Sequence, residues 1–262
     1  MERKMGIQEI RSRFEEAGEG LGSRPEAEQR LSELILCCKE DERAGVRALV
    51  RKAERQLDAL SKERERMWEM KRFEREYGAA GLICGIDEAG RGPLAGPVVA
   101  GAVILPEKEI LYLNDSKKLS PKKREELYEV ILRDAVAVGV GYASSERIDE
   151  INILQATYEA MREAVSKLSV KPAVLLNDAV TIPGISVRQV PIIKGDAKSA
   201  SIAAASIVAK VTRDRLMEKY DAVFPQYGFA SHKGYGAAAH IEALKKYGPC
   251  PIHRRSFIGH FL

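Results

Sequence analysis

The stretch from Leu82 to Leu105 constrains the fold more than any other part of the chain. Leu82–Ile86 is apolar and reads as a buried strand. Asp87 and Glu88 follow it, then the turn-forming run Ala89-Gly-Arg-Gly-Pro93, and then a second apolar strand over Val98–Leu105. Strands this uniformly apolar need cover on both faces, which helices supply in an α/β domain. The sequence downstream alternates accordingly. Ser120-Pro-Lys-Lys opens a helix to about Arg133, with Pro121 at the first helical position. Ala135–Tyr142 reads as a third strand and Leu154–Leu168 as an amphipathic helix. Val174–Asn177 and Ile185–Val190 are extended, Ser199 caps a helix to about Tyr220, and Tyr235–Tyr247 forms a last helix before a basic tail. This order implies a partly parallel sheet.

Upstream of Gly78-Ala-Ala-Gly81 the composition changes: Glu, Arg and Lys dominate, and apolar residues recur only at helical spacing. Ile7, Ile10 and Phe14 mark one helix. Leu31, Leu34 and Ile35 mark another, opened by Ser23-Arg-Pro-Glu26 read as a capping box. Val46 to Leu60 marks a third, which Asp41 would cap and which would run to about Tyr77. Residues 1–78 are therefore expected to form a helical extension and residues 79–262 the catalytic domain. The basic run Arg64, Arg66, Lys71, Arg72 and Arg75 reads as a solvated helix face, with an added nucleic-acid contact as the alternative.

With 262 residues and 45% hydrophobic content the chain can bury a full core, and a net charge of +4 does not by itself call for a polyanionic partner. Apolar runs fall short of the ~18 residues that span a bilayer, and Met1-Glu-Arg-Lys-Met5 lacks the apolar core of a secretory signal. A cytoplasmic, monomeric protein with no membrane contact is expected. Cys37, Cys38, Cys84 and Cys250 lack zinc-site spacing and read as small hydrophobes in a reducing compartment.

Four acids stand apart from the surface charge. Asp87 and Glu88 end one apolar strand, Asp178 ends another, and Asp196 precedes the helix capped by Ser199. Ligand sites in open α/β sheets form at the carboxyl ends of strands. Carboxylates converging there repel one another unless a hard cation offsets them, and oxygen donors select Mg²⁺ or Mn²⁺. The set suits phosphodiester hydrolysis with two ions ~4 Å apart. Gly90-Arg-Gly-Pro-Leu-Ala95 also fits a loose dinucleotide fingerprint. That motif needs a following helix, whereas a strand follows here, and two carboxylates would repel a pyrophosphate.

Gly85-Ile-Asp-Glu-Ala-Gly-Arg-Gly-Pro-Leu-Ala-Gly-Pro97 resembles the opening motif of the ribonuclease HII family. Asp115-Ser-Lys-Lys-Leu119, Lys194 to Asp214, His232-Lys-Gly-Tyr-Gly236 and Tyr247 to Phe257 resemble further family motifs in family order, so the likeness spans about residues 82–257. It implies a ribonuclease H-like α/β fold, a mixed sheet flanked by helices, with C-terminal helical elements and the N-terminal helical extension. It also implies a type 2 ribonuclease H that cuts the RNA strand of RNA/DNA hybrids, including single ribonucleotides embedded in duplex DNA. Cleavage would leave 5′-phosphate and 3′-hydroxyl ends and serve ribonucleotide removal in DNA repair and replication. Asp87, Glu88, Asp178 and Asp196 would be the catalytic, metal-binding carboxylates for Mn²⁺ or Mg²⁺. Gly90, Arg91 and Gly92 would read the 2′-hydroxyl, and Tyr235 would stack on the next sugar. Ser116, Lys117, Lys118 and Lys198 would complete the substrate contacts. Two positions depart from the family pattern: Asp178 stands in Leu176-Asn-Asp-Ala179, and Ala237 replaces a common Thr.

Lys122, Lys123, Arg124, Lys210, Arg213, Lys233, Arg254 and Arg255 lie in or beside these motifs, and several are expected to contact phosphates. His232, His240, His253 and His260 are expected to cap backbone groups or contact phosphate rather than ligate metal. Two rival readings are a metal nuclease acting on DNA junctions and a non-catalytic hybrid-binding module. The glycine loop with Tyr235 argues against the first, and the four intact carboxylates against the second.

Overall fold

A computed structural model describes residues 5–262, which divide into two compact units meeting between Trp68 and Glu69. The first unit is helical: α1 (Ile7–Gly18), α2 (Pro25–Cys38) and most of α3 (Ala44–Met70). Its core joins Ile10, Phe14, Leu31, Ile35, Val46 and Val50, residues recurring at helical spacing. The Ser23 capping box does not form. Arg24 is the N-cap, Pro25 takes the first helical position, and the Ser23 hydroxyl donates to the Gly20 carbonyl at 2.8 Å. Asp41 accepts from the Arg43 amide at 3.0 Å and so orders the turn that leads into α3. Lys71, at φ −87° and ψ 12°, interrupts the long helix expected to reach Tyr77, leaving α4 (Arg72–Tyr77) separate. Arg64 pairs with Glu28, and Arg66 with Glu63 at 2.7 Å, so both carry partners on this unit's own surface.

The second unit is built on a five-stranded mixed sheet. Its strands are β1 (Ile83–Ala89), β2 (Val98–Ile104), β3 (Ala137–Ala143), β4 (Val174–Asp178) and β5 (Arg188–Ile192), in the order β3-β2-β1-β4-β5. β1 pairs antiparallel with β2 and parallel with β4. Its helices are α4, α5 (Pro121–Asp134), α6 (Ser145–Ser166), α7 (Ala200–Val223), α8 (Phe229–His232), α9 (Ala238–Tyr247) and α10 (Arg255–Ile258). α6 covers one face, where Ala156, Ala160, Met161 and Ala164 meet Ile86, Val98, Ala100 and Ala102. α7 covers the other.

α7 lies unusually close to the sheet because both surfaces are small. Residues 200–209 are Ala, Ser, Ile and Val, and all are buried. A Cβ on Gly85 would stand 2.0 Å from the Ser201 carbonyl carbon. Gly85→Ala should therefore push α7 off β1 and cost about 2–3 kcal/mol, read as a lower urea midpoint. An unchanged midpoint would show that the helix shifts freely.

Several boundaries differ from the sequence reading. β1 runs on through Asp87 and Glu88, which pair with Gly101 and Ala100 on β2, because the turn begins only at Gly90. α6 begins at Ser145, capped by Ser144, and is broken at Asn152 (φ 67°). The Asn152 carboxamide accepts from the amides of Leu154 and Gln155, restarting the helix where apolar periodicity resumes. Ser120 and Ser199 cap α5 and α7 as expected.

Candidate active site

The parallel register of β1 and β4 runs from Ile83 opposite Val174 to Ile86 opposite Asn177. One step further along the two strands stand Asp87 and Asp178. Side chains alternate along β1, so Asp87 shares with Gly85 the face under α7. Asp87 is only 6% exposed, and its Oδ1 accepts from the Glu88 amide at 2.8 Å. Ser206 on α7 favours the charged form of the same carboxylate, and the Ser206 hydroxyl lies 3.0 Å from that of buried Ser116. Asp178 Oδ1 accepts from the Gly195 amide at 2.7 Å, which draws the turn Gly195–Ala197, and with it Asp196, to the end of β4.

These carboxylates act on one another. Burial, then the charges of Glu88 and Asp178, push the Asp87 carboxyl well above its ordinary range. Burial raises Glu88, with Asp178 adding to it, while Arg91 at 3.4 Å pulls the other way. Burial raises Asp196, followed by Asp115 and Asp178. Asp115 is thus a fifth acid in this field, one the sequence reading placed only inside a motif. A protein gains nothing in stability from such a set. All its donors are oxygens, which match Mg²⁺ or Mn²⁺. Among the described residues no group of three or more Asp, Glu, His or Cys side chains is drawn together closely enough to hold a metal ion.

Beside the acids lies the loop from Gly90 to Pro97, held by two buried arginines. Arg254 is 0% exposed and Arg213 1%. Arg254 donates to the carbonyls of Gly90 (2.5 Å), Arg91 (2.8 Å) and Gly96 (2.8 and 3.0 Å). Arg213 donates to those of Ala95 (3.0 Å), Pro97 (2.9 Å) and Lys233 (2.9 Å). Both stand in the basic set of which several members are expected to contact phosphates, and neither is free to do so. Each is sealed in the protein, where its planar fork satisfies loop carbonyls. Burial, then the neighbouring Arg213, pushes Arg254 down to about 9, still a cation at neutral pH. Gly90 has a φ of +92°, and a Cβ there would stand 2.0 Å from Arg213 Nε. Only glycine allows both the conformation and the approach.

Arg91 and Gly92 are exposed on this loop, and a Cβ on Gly92 would lie 4.0 Å from the Tyr235 ring. Tyr235 is 45% exposed, and the neighbouring Gly234 carbonyl accepts from the Leu94 amide at 2.8 Å. Glycine loop and tyrosine therefore form one surface. Lys117, Lys118 and Lys198 are exposed, whereas Ser116 faces inward, where its hydroxyl braces Ser206. Arg124 donates to the Ser116 and Leu119 carbonyls and fixes that motif. His232, His240 and His253 all sit in hydrogen bonds to backbone groups or to one another, and His260 packs against Phe261 at 3.9 Å.

The solved ribonuclease H2 of Pyrococcus horikoshii OT3 is similar with a TM-score of 0.56 at 32% identity, over 67% of this chain and 93% of that one. Fold and site together define a hydrolase of the ribonuclease H class, type 2, in which dependence on divalent metal is general. The family model Ribonuclease HII matches residues 84–260, and the model Ribonuclease HII N-terminal domain matches residues 6–78. Ribonuclease HII of Lachnoclostridium phytofermentans is 66% identical over 219 residues, covering 83% of this chain and 86% of that protein. Ribonuclease HII of Clostridioides difficile is 53% identical over 237 residues, covering 89% and 93%. The chain belongs to the ribonuclease HII family.

Proposed function

We propose that this protein hydrolyses the RNA strand of RNA/DNA hybrids and nicks duplex DNA on the 5′ side of a single embedded ribonucleotide, leaving 5′-phosphate and 3′-hydroxyl ends. The observation that carries the reading is the surface shared by Gly92 and Tyr235 next to Asp87 and Glu88. A 2′-hydroxyl is the handle that separates RNA from DNA at one position. The tightly held loop from Gly90 to Gly92 would approach that hydroxyl, and the Tyr235 ring would pack on the sugar that follows. Asp87, Glu88, Asp178 and Asp196 would hold two divalent ions, Mg²⁺ or Mn²⁺. When bound, such ions activate water and offset charge at the phosphorus and the leaving 3′ oxygen. Ser206 and the Gly195 amide orient Asp87 and Asp178. Arg91 holds Glu88, and exposed Lys117, Lys118 and Lys198 would contact phosphates. The catalytic domain in this reading is residues 79–262, with residues 1–78 as an extension.

The test compares three duplexes with Mg²⁺ or Mn²⁺: one with a single ribonucleotide, one continuous RNA/DNA hybrid and one all-DNA. The first two should be cut, with the embedded ribonucleotide cleaved on its 5′ side, and the third left intact. Equal cutting of all three would refute ribonucleotide reading and favour a nuclease of DNA junctions.

A further inference from the structure

We infer that His240 and His253 are positioning residues for Tyr235: a chain of hydrogen bonds running from the Cys250 amide through both imidazoles to the Tyr235 carbonyl sets where that ring stands. The inference rests on the reading of Tyr235 as a substrate contact.

The proton positions along the chain follow from its ends. The Cys250 amide can only donate, and it points at His253 Nδ1 at 2.9 Å, so that nitrogen accepts. His253 therefore carries its proton on Nε2 and donates it to His240 Nε2 at 3.0 Å. His240 must then be protonated on Nδ1, which donates to the Tyr235 carbonyl at 2.8 Å. The Cys250 thiol, 3.1 Å from the same His253 Nδ1, can share that lone pair as a second donor, and both rings are neutral. A second proton on either ring would set donor against donor, at the Cys250 amide or between the two Nε2 atoms.

The surroundings hold the rings in this arrangement. Both are buried. His232 stacks on His240 at 4.5 Å, Phe229 meets His240 edge-on at 5.4 Å, and Tyr227 meets His253 edge-on at 4.9 Å. His232 is itself fixed, accepting from the Gly234 amide at 3.2 Å and donating to the Tyr227 carbonyl at 2.8 Å. The titratable groups facing the pair are His232, Tyr227, the Cys250 thiol and Arg255. Burial lowers His240 and, with His240 beside it, takes His253 down to about 4, which favours the neutral rings that the hydrogen bonds require.

The chain matters because of where it starts. The segment that supplies the Cys250 amide and His253 continues into Arg254, whose guanidinium holds the Gly90, Arg91 and Gly96 carbonyls. One stretch of backbone thus sets the glycine loop on one side and, through two imidazoles, the Tyr235 carbonyl on the other. That fixes the tyrosine relative to the loop.

The experiment uses the full chain and a duplex with one embedded ribonucleotide. His240→Phe keeps a ring but removes the donor to Tyr235, whereas His240→Asn keeps an N–H near the Nδ1 position. His240→Phe should lower kcat about tenfold with KM moved much less, and His240→Asn should recover most of the loss. Adding His240→Phe to Tyr235→Ala should cost nothing further. Independent, multiplying losses would overturn the inference while leaving the role of Tyr235 intact. An unchanged kcat for Tyr235→Ala alone would instead remove the reading beneath it, and the inference with it. Nitrogen NMR of the unmodified protein provides a check that no folding defect can obscure. It should find His240 protonated on Nδ1 and His253 on Nε2, both neutral at about pH 8. The opposite tautomers would overturn the chain.

Discussion

Replacing Asp87 with Asn is expected to lower turnover on a ribonucleotide-containing duplex by about 10³-fold or more, equivalent to about 4 kcal/mol of transition-state stabilisation. The same change should raise the melting temperature of the metal-free protein. Folded, the Asp87 carboxyl ionises well above the ordinary value of 3.8, because burial and the charges of Glu88 and Asp178 oppose its charge. Between those two values the folded state holds more protons than the unfolded state, so stability falls as pH rises through the window. The cost therefore grows as pH rises from the ordinary value toward the folded one. Asn removes the charge and keeps the shape, so the variant should melt higher in chelator, at about 2–4 °C per kcal/mol recovered. Added Mg²⁺ or Mn²⁺ should stabilise the unmodified protein more than the variant. Thermal melts with and without metal, paired with cleavage assays, check both halves. A variant that keeps its turnover would end the assignment of Asp87. One that melts lower in chelator would end the account of its burial.

Arg254→Met should cost about 3–5 kcal/mol of folding stability and abolish cleavage, because it strands the Gly90, Arg91 and Gly96 carbonyls without donors. Arg254→Lys should not rescue it, since a single ammonium cannot span carbonyls that a planar fork meets from two sides. Urea denaturation gives the stability and the hybrid assay the activity. A lysine variant equal to the parent in both would mean that charge alone, rather than the fork, holds the loop.

The acids and the sheet were legible because each is a local pattern. Apolar runs marked β1, β2 and β4, and a carboxylate after such a run cannot be mistaken for a solvated helix face. Caps at Ser120 and Ser199 were read from single residues and their neighbours. Buried basic residues were not legible. Arg213 and Arg254 look like the rest of a basic motif, and only the carbonyls that surround them, all but that of Lys233 from a segment more than a hundred residues away, make them interior. Ser206 was hidden in the same way, inside a helix whose Ala and Ser content reads as packing. The start of α6 escaped because Asn152 splits the periodicity, so Ser145–Ile151 carried too few turns to register.

The place of Arg254 in the chain also has a consequence for synthesis. The last strand of the sheet ends at Ile192, so once the following helix has left the ribosome the nascent protein can assemble the sheet and all four of its acids. The glycine loop, by contrast, has no partner for the Gly90, Arg91 and Gly96 carbonyls until residue 254 emerges. On the proposed reading, the acids that would carry hydrolysis are thus in place before the surface that would choose the substrate. Any discrimination by that surface would arrive last, with the segment that braces the loop and Tyr235 together.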